Sequence, residues 1–433
     1  MLRHVIFALL IAVLPTAASA QIEIDITRGR TDPMQIAIPD YVSASSDELA
    51  GAVAEVISND LSISGLFAPI DEAAFIQDIT NINVTPRFAD WRVIGARVLV
   101  AGEVLNLDDG RVQINTRLWD VVGNQQLASV AYTTTRQNWR RAAHKVSDFV
   151  YSQLTGEAGY FDSRIVFVSE TGPRTDRLKR LVVMDQDGHN PQVLTEGLSY
   201  NVLTPRFSPD EQEITYLAFF EDRPAKVYLF NIETGVQREV GDFPGMTFAP
   251  RFTPNGEELL ISFAMAGNSD VAYLHPITGR MRRLTTNPAI DVSPSMEPNG
   301  RRIAFASDRG GSQQIYVMNA DGSDQHRITF GEGTYGTPVW SPRGDLIAFT
   351  RQHRGKFYIG VVSPDGSGER LLTEAYLVEG PTWSPNGRVL AFHREEYPGA
   401  PVRLFAVDLT GQNLRRIDTP TEASDPAWSP RLN

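Results

Sequence analysis

The side chains that make and break bonds are sparse in this chain, and their spacing is uninformative. Its 433 residues contain no cysteine, which excludes a thiol nucleophile, a disulfide, a thiolate zinc site and an iron–sulfur cluster. Seven histidines are scattered along it without an HxH or HExxH pairing. His353 and His393 could share one face, but two histidines do not define a site. A serine hydrolase needs the GxSxG elbow, and Gly366-Ser367-Gly368 lacks that pattern. Asp185-Gln186-Asp187-Gly188 and Asn319-Ala320-Asp321-Gly322-Ser323-Asp324 resemble calcium loops, but neither is followed by the required glutamate. Both read as tight turns. Asp291 and Asp425 are the carboxylates that could hold a weak axial cation. The expectation is no catalytic residue, no structural metal and no cofactor. A formal charge of −12 also argues against nucleic-acid binding.

What does recur is a phrase: Pro, one residue, a large apolar residue, then most often Ser/Thr-Pro and a turn. Its first prolines are Pro205, Pro250, Pro294, Pro338, Pro381 and Pro426, at intervals of 45, 44, 44, 43 and 45. Two apolar runs follow each phrase, as in Ile303–Ala306 and Ile315–Met318, and then a Gly-containing turn and a short fourth run. Four strands at a period near 44 predict β-propeller blades. The region opens at Arg164 with a second-strand run and ends at Asp425–Leu432 with a first-strand phrase, so six blades are expected, with the last strand completing the first blade. Such closure removes free sheet edges. The stripe Phe207, Phe252, Met296, Trp340, Trp383 and Trp428 is expected to pack between blades. Propeller architecture keeps two other readings open, a propeller hydrolase and a glycan-binding propeller, the latter on exposed aromatics such as Tyr200 and Tyr335.

Strand order divides the loops between two faces. The Pro-Asn-Gly and Asp-Gly turns lie on one. The segments entering each Pro phrase lie on the other, with the connections between second and third strands, and these loops are expected to be longer and more variable and so to carry binding. Candidate contacts there are Tyr200, Asn201, Thr204, Met246, Thr247, Ala249, Asp291, Val292, Ser293, Tyr335, Thr337, Glu379, Ser424 and Asp425.

Ahead of the repeat, residues 21–158 predict a small α/β domain and 159–433 the propeller. Ile22, Ile24 and Ile26 alternate as a strand, and Met34–Val42 reads as a second. Ser46-Asp47-Glu48 opens a helix whose face is Leu49, Val53, Val56, Ile57 and Leu61. Pro86–Ile94 suggests another helix. A meander over Val98–Leu107, Arg111–Trp119 and Gln126–Thr135 turns at Asp108-Asp109-Gly110. An amphipathic helix spans Gln137–Leu154. Trp91, Trp119 and Trp139 are expected in its core. Residues 1–20 have Arg3, an apolar run over Val5–Leu14, Pro15 and Ala18-Ser19-Ala20, the form of a signal peptide cleaved after Ala20. Later segments are too short and polar to span a membrane.

The combination of this leader, the α/β domain and the closed six-unit ring resembles the TolB family. The residues that carry the likeness include Phe161-Asp162-Ser163-Arg164-Ile165, Ile315-Tyr316-Val317-Met318-Asn319-Ala320-Asp321-Gly322 and Pro426-Ala427-Trp428-Ser429-Pro430. The resemblance implies a periplasmic, non-enzymatic and monomeric adaptor of the Tol-Pal system. Its propeller would bind the peptidoglycan-associated lipoprotein Pal, and its mature N-terminus (Gln21, Ile22, Glu23, Ile24, Asp25 and Ile26) the C-terminal domain of TolA. Other outer-membrane lipoproteins are further expected partners, and outer-membrane integrity and constriction at division the expected roles. Met246, Ala249, Val292 and Ser293 align with family contact positions. The family can carry His where this chain has Met246 and an acid where it has Ser293.

Overall fold

The computed structural model describes residues 32–43, 48–197, 199–210, 212–241, 246–265 and 267–432. The leader, its cleavage site and the segment Gln21–Ile26 lie outside these residues.

The N-terminal domain begins with β1 (Met34–Ala37) and β2 (Val42–Ser43), two short pieces of the single strand expected there, with Pro39 between them. Proline lacks the amide that would continue the ladder. Next come α1 (Leu49–Ile63), β3 (Phe67–Pro69), α2 (Phe88–Val93), β4 (Val98–Asn106), β5 (Arg111–Asp120), β6 (Gln125–Thr135) and α3 (Trp139–Thr155). The sheet runs β3-β1-β4-β5-β6, with β2 also on β4. β1 pairs parallel with β3 and β4, and β4, β5 and β6 form the expected antiparallel meander. The unforeseen strand is β3, an edge strand of three residues that ends in proline.

α1 and α3 pack on one side of this sheet. Val53, Ile57 and Leu61 meet Val146, Val150 and Leu154 over Val100, Ile114 and Leu118, all buried. The other side holds a smaller core around Trp91 and Trp119. Trp139 joins the core only at its margin: half-buried at the start of α3, it packs against the larger cluster, with the Arg140 guanidinium 5.8 Å from its ring centroid. α3 ends at Gly156, whose φ of 71° is the left-handed conformation that favours glycine at a helix C-terminus.

The rest of the described chain forms six four-stranded antiparallel sheets, a six-bladed propeller. Blade 1 joins the C-terminal strand Glu422–Trp428 to β7 (Arg164–Thr171), β8 (Leu178–Asp185) and β9 (Gln192–Val193). Blades 2 to 6 follow in chain order, each with its Pro phrase as innermost strand. Trp428 pairs with Ile165 in the closing ladder, and its Nε1 donates to Ser163 Oγ at 2.8 Å. The apolar stripe does pack between blades. Trp383 Nε1 donates to Val339 O at 2.9 Å, and the amides of Trp340 and Trp428 donate to Ser295 and Thr382 of the preceding blades. Trp340, Trp383 and Trp428 are buried and Phe207, Phe252 and Met296 half-buried, and all six line the axial cavity.

Loop lengths correct one expectation. On the face entering the Pro phrases they range from the single residue Tyr376 to the seven residues 194–200, whereas on the turn face they are five to seven throughout. The first face is the more variable, but its loops are not longer.

Candidate functional site

One backbone irregularity repeats around the ring. Each innermost strand breaks register with its neighbour at the start of the Pro phrase. The residue just before the Pro has positive φ in all six blades: Thr204 (49°), Ala249 (51°), Ser293 (56°), Thr337 (45°), Gly380 (66°) and Asp425 (48°). Five of these are not glycine, and each accepts a left-handed conformation that costs about 1–2 kcal/mol for an L-residue. The bulge is what packing geometry demands: it turns the strand where it enters the ring, and the proline cannot donate to the ladder anyway. Amides displaced from the ladder find side chains of the preceding blade. Ser293 N donates to Ser262 Oγ at 2.9 Å, Asp425 N to His393 Nδ1 at 3.3 Å and Thr204 N to Asp425 Oδ2 at 3.4 Å. These contacts pin neighbouring blades together at the loop-face end of the channel.

The fourteen sequence candidates divide on this framework. Thr204, Ala249, Ser293, Thr337 and Asp425 sit at the bulges themselves and are half-buried, as are Val292, Glu379, Tyr200 and Asn201. The side chains of Met246 and Thr247 lie outside the described residues. Three candidates are corrections, because their side chains are buried and offer no contact surface. Asp291 is fully buried and accepts from Arg309 Nη2 at 2.7 Å. Tyr335 is fully buried against Phe349, with its hydroxyl donating to Glu369 at 2.7 Å. Ser424 is buried and donates to Glu170. Tyr200 stacks on Tyr216 and Tyr228 and donates to Gln237 at 2.7 Å. With Tyr335 inside and Tyr200 stacked on its own blade, neither of the two aromatics named for the glycan reading stands open as a platform. The sixth bulge position is Gly380, a site that its place just before Pro381 marks in the sequence. Burial and the charge of Asp425 both hold the Glu379 carboxyl above its ordinary range.

The N-terminal domain sits on the opposite face, against the turns. Asn386 Nδ2 donates to Ala158 O at 2.9 Å, and Asn413 Nδ2 to Ile63 O at 2.8 Å. Glu157 takes both Arg388 (2.7 Å) and Arg343 (3.2 Å). A buried charged cluster lies on the same seam. Asp60 of α1 pairs through one oxygen with His144 Nδ1 of α3 at 2.7 Å, and through the other with Gln186 Nε2 of the propeller at 2.9 Å. Arg140 pairs with Asp187, and with Asp185 at 3.5 Å. Burial alone would lower the His144 pKa, but Asp60, Asp187 and Asp185 outweigh it and raise the value to about 9. Donor atoms of Asp60, His144 and Asp187 lie within 4.8 Å of one another. A protonated His144 repels a cation, and both carboxylates already have partners, so this cluster does not fit a metal site. Sequence gave no signal for it, since its members come from separate elements. The two calcium-like segments are the expected turns, with Gly188 N bonding Asp185 O and Gly322 N bonding Asn319 O. Among the described residues no helix is long and apolar enough to cross a membrane.

Family models match both parts of the chain, the TolB amino-terminal domain over residues 22–127 and the TolB beta propeller domain over residues 151–432. The second alone covers more than half of the chain. The chain belongs to the TolB family. The structure is similar to the crystal structure of TolB from Acinetobacter baumannii, with a TM-score of 0.83 and 27% identity, covering 95% of this chain and all of that one. It is also similar to hydrazine synthase from Kuenenia stuttgartiensis (TM-score 0.50, 15% identity, 63% of this chain and 47% of that one), a likeness of fold alone. The TolB architecture of a small mixed domain followed by a six-bladed propeller is the one this sequence folds into.

Proposed function

We propose that this TolB-family chain is a periplasmic, non-enzymatic adaptor of the Tol-Pal system, which holds Pal on the loop face of its propeller and the C-terminal domain of TolA at its mature N-terminus. The observation that supports this most directly is the division of faces. The N-terminal domain takes the turn face through Glu157, Asn386 and Asn413, and none of its described residues covers the ring of bulged residues. Strained backbone gathered at one end of a rigid ring is where binding is to be expected. Half-buried Ala249 and Ser293 are the contacts on which the reading commits, and a carboxylate at Ala249 or an ammonium at Ser293, where the family can carry an acid, would be desolvated without a partner on docking. Through these two contacts the adaptor would support outer-membrane integrity and constriction at division.

The test is titration of the mature protein with a Pal domain by calorimetry. Binding is expected for the parent chain, and at least tenfold weakening for Ala249→Asp and Ser293→Lys with unaltered melting temperatures. Unchanged affinity in both variants contradicts the placement of Pal on this face. Removal of residues 21–32 is expected to abolish capture of the TolA domain and leave Pal binding intact. Retained capture would reject the N-terminal assignment.

A further inference from the structure

The axial channel holds a second feature, on the turn-face side of the bulges. The residue just after each phrase proline lines a cavity of about 370 Å³ in all six blades: Arg206, Arg251, Ser295, Val339, Thr382 and Ala427. Four of these equivalent positions are small or uncharged. The other two are arginines in adjacent blades, and Arg431 stands at the same cavity wall.

These arginines lack the partners that enclosed guanidinium groups require. An arginine carries five N–H donors. Arg206 places one of them on its own neighbour's carbonyl, Pro205 O, at 2.6 Å. The Arg251 side chain has no hydrogen bond and no ion pair among the described residues. Enclosure lowers the pKa of both groups, and the charge of Arg206 lowers that of Arg251 further. Asp425 acts on Arg206 through space but forms no ion pair with it. Two like charges in one chamber with so little compensation make an electrostatic vacancy that an anion would fill.

We propose that the axial cavity binds a small oxyanion, a phosphate or a carboxylate, between the guanidinium groups of Arg206 and Arg251. Planar guanidinium forks match the paired oxygens of such groups. Pro209, Pro254 and Pro385 of the turns line the same chamber, whose volume of about 370 Å³ suits a small anion. This site is separate from the Pal surface, being on the other side of the bulges, and does not depend on the adaptor reading.

The experiment is a melting and calorimetric titration of the full mature chain with inorganic phosphate and, separately, citrate, against chloride at matched ionic strength. A saturable rise in melting temperature is expected with at least one of the two, and which one responds identifies the source of the oxygens. Arg251→Gln is expected to weaken binding at least tenfold. Arg251→Lys keeps the charge and loses the fork, and is expected to weaken it less. Arg354→Gln, at an exposed loop position, is expected to leave it unchanged. Removing a like charge from the chamber should not unfold the ring, and ³¹P line broadening by the parent chain reads binding without any variant. No saturable effect of either anion beyond chloride, or an equal effect in an Arg206→Gln/Arg251→Gln double variant, overturns the proposal.

Discussion

His144 Nδ1 lies 2.7 Å from Asp60 Oδ2, joining α3 to α1, and the other oxygen of the same carboxylate reaches Gln186 in the propeller. One buried aspartate therefore ties α1 and α3 of the first domain to the second domain.

That tie titrates. The groups facing His144 are Asp60 from α1, Asp185 and Asp187 from the propeller turn, and Arg140 from its own helix. Its folded pKa of about 9 exceeds the ordinary 6.5, so the folded state binds the proton more tightly than the unfolded one. The contribution is then fully present below pH 6.5 and is lost as pH rises through about 9. Thermal unfolding across pH 6 to 10 should show a falling melting temperature, and His144→Gln should flatten the slope in that window. An unchanged slope would show that another group carries it.

The bulges predict two opposite responses to glycine exchange. Ala249 adopts a φ of 51°, and Ala249→Gly should relieve left-handed strain of about 1–2 kcal/mol against a chain-entropy cost of about 0.5–1 kcal/mol. Gly380→Ala should destabilise by about 1–2 kcal/mol, since the added Cβ takes a φ of 66° and comes within 3.3 Å of His393 Nδ1. Denaturant titration of both variants measures the pair, and the same sign for both would contradict the strain.

Asp291 should behave as a framework residue. It is fully buried, and its only ion pair among the described residues is with Arg309, at 2.7 Å. Asp291→Ala leaves that guanidinium uncompensated and should cost about 3–5 kcal/mol of stability. Pal titration of whatever fraction stays folded should give the parent affinity. A binding defect without a stability defect would restore Asp291 to the contact surface.

Glu157 should report on the domain seam. It receives Arg388 and Arg343, both partly solvated, and surface pairs of this kind contribute about 0–1 kcal/mol each. Glu157→Gln should lower stability modestly and more at low salt than at high salt, a dependence that melting at 20 mM and 1 M NaCl, on the order of Debye lengths of about 20 Å and 3 Å, would resolve.

The legible parts of this protein were those that repeat or that lie close along the chain. Six prolines at near-constant spacing announced the blades, and an unmatched run at Arg164 with an unmatched phrase at Asp425 announced the closure. The unreadable parts depend on distance in sequence or on short elements. β3 has three residues and a proline, too few for a periodic signal. The Asp60–His144–Gln186 contact joins three elements that are individually ordinary. Burial at the strand entries was also hidden: Asp291 and Tyr335 stand three residues before the phrase proline, where Val202, Val378 and Ala423 are buried too, and their polar groups concealed that shared inward position.

The closing ladder has a consequence for how the molecule is made. Trp428 and Ser163, bonded in the finished seam, are 265 residues apart. A chain delivered from its N-terminus makes β7, β8 and β9 first and their inner partner last. Until Glu422–Trp428 arrives, that sheet keeps an unpaired edge, a template for pairing with other chains. The first blade begun is the last one finished, so a stop codon a dozen residues early would leave all other blades encoded and the ring open.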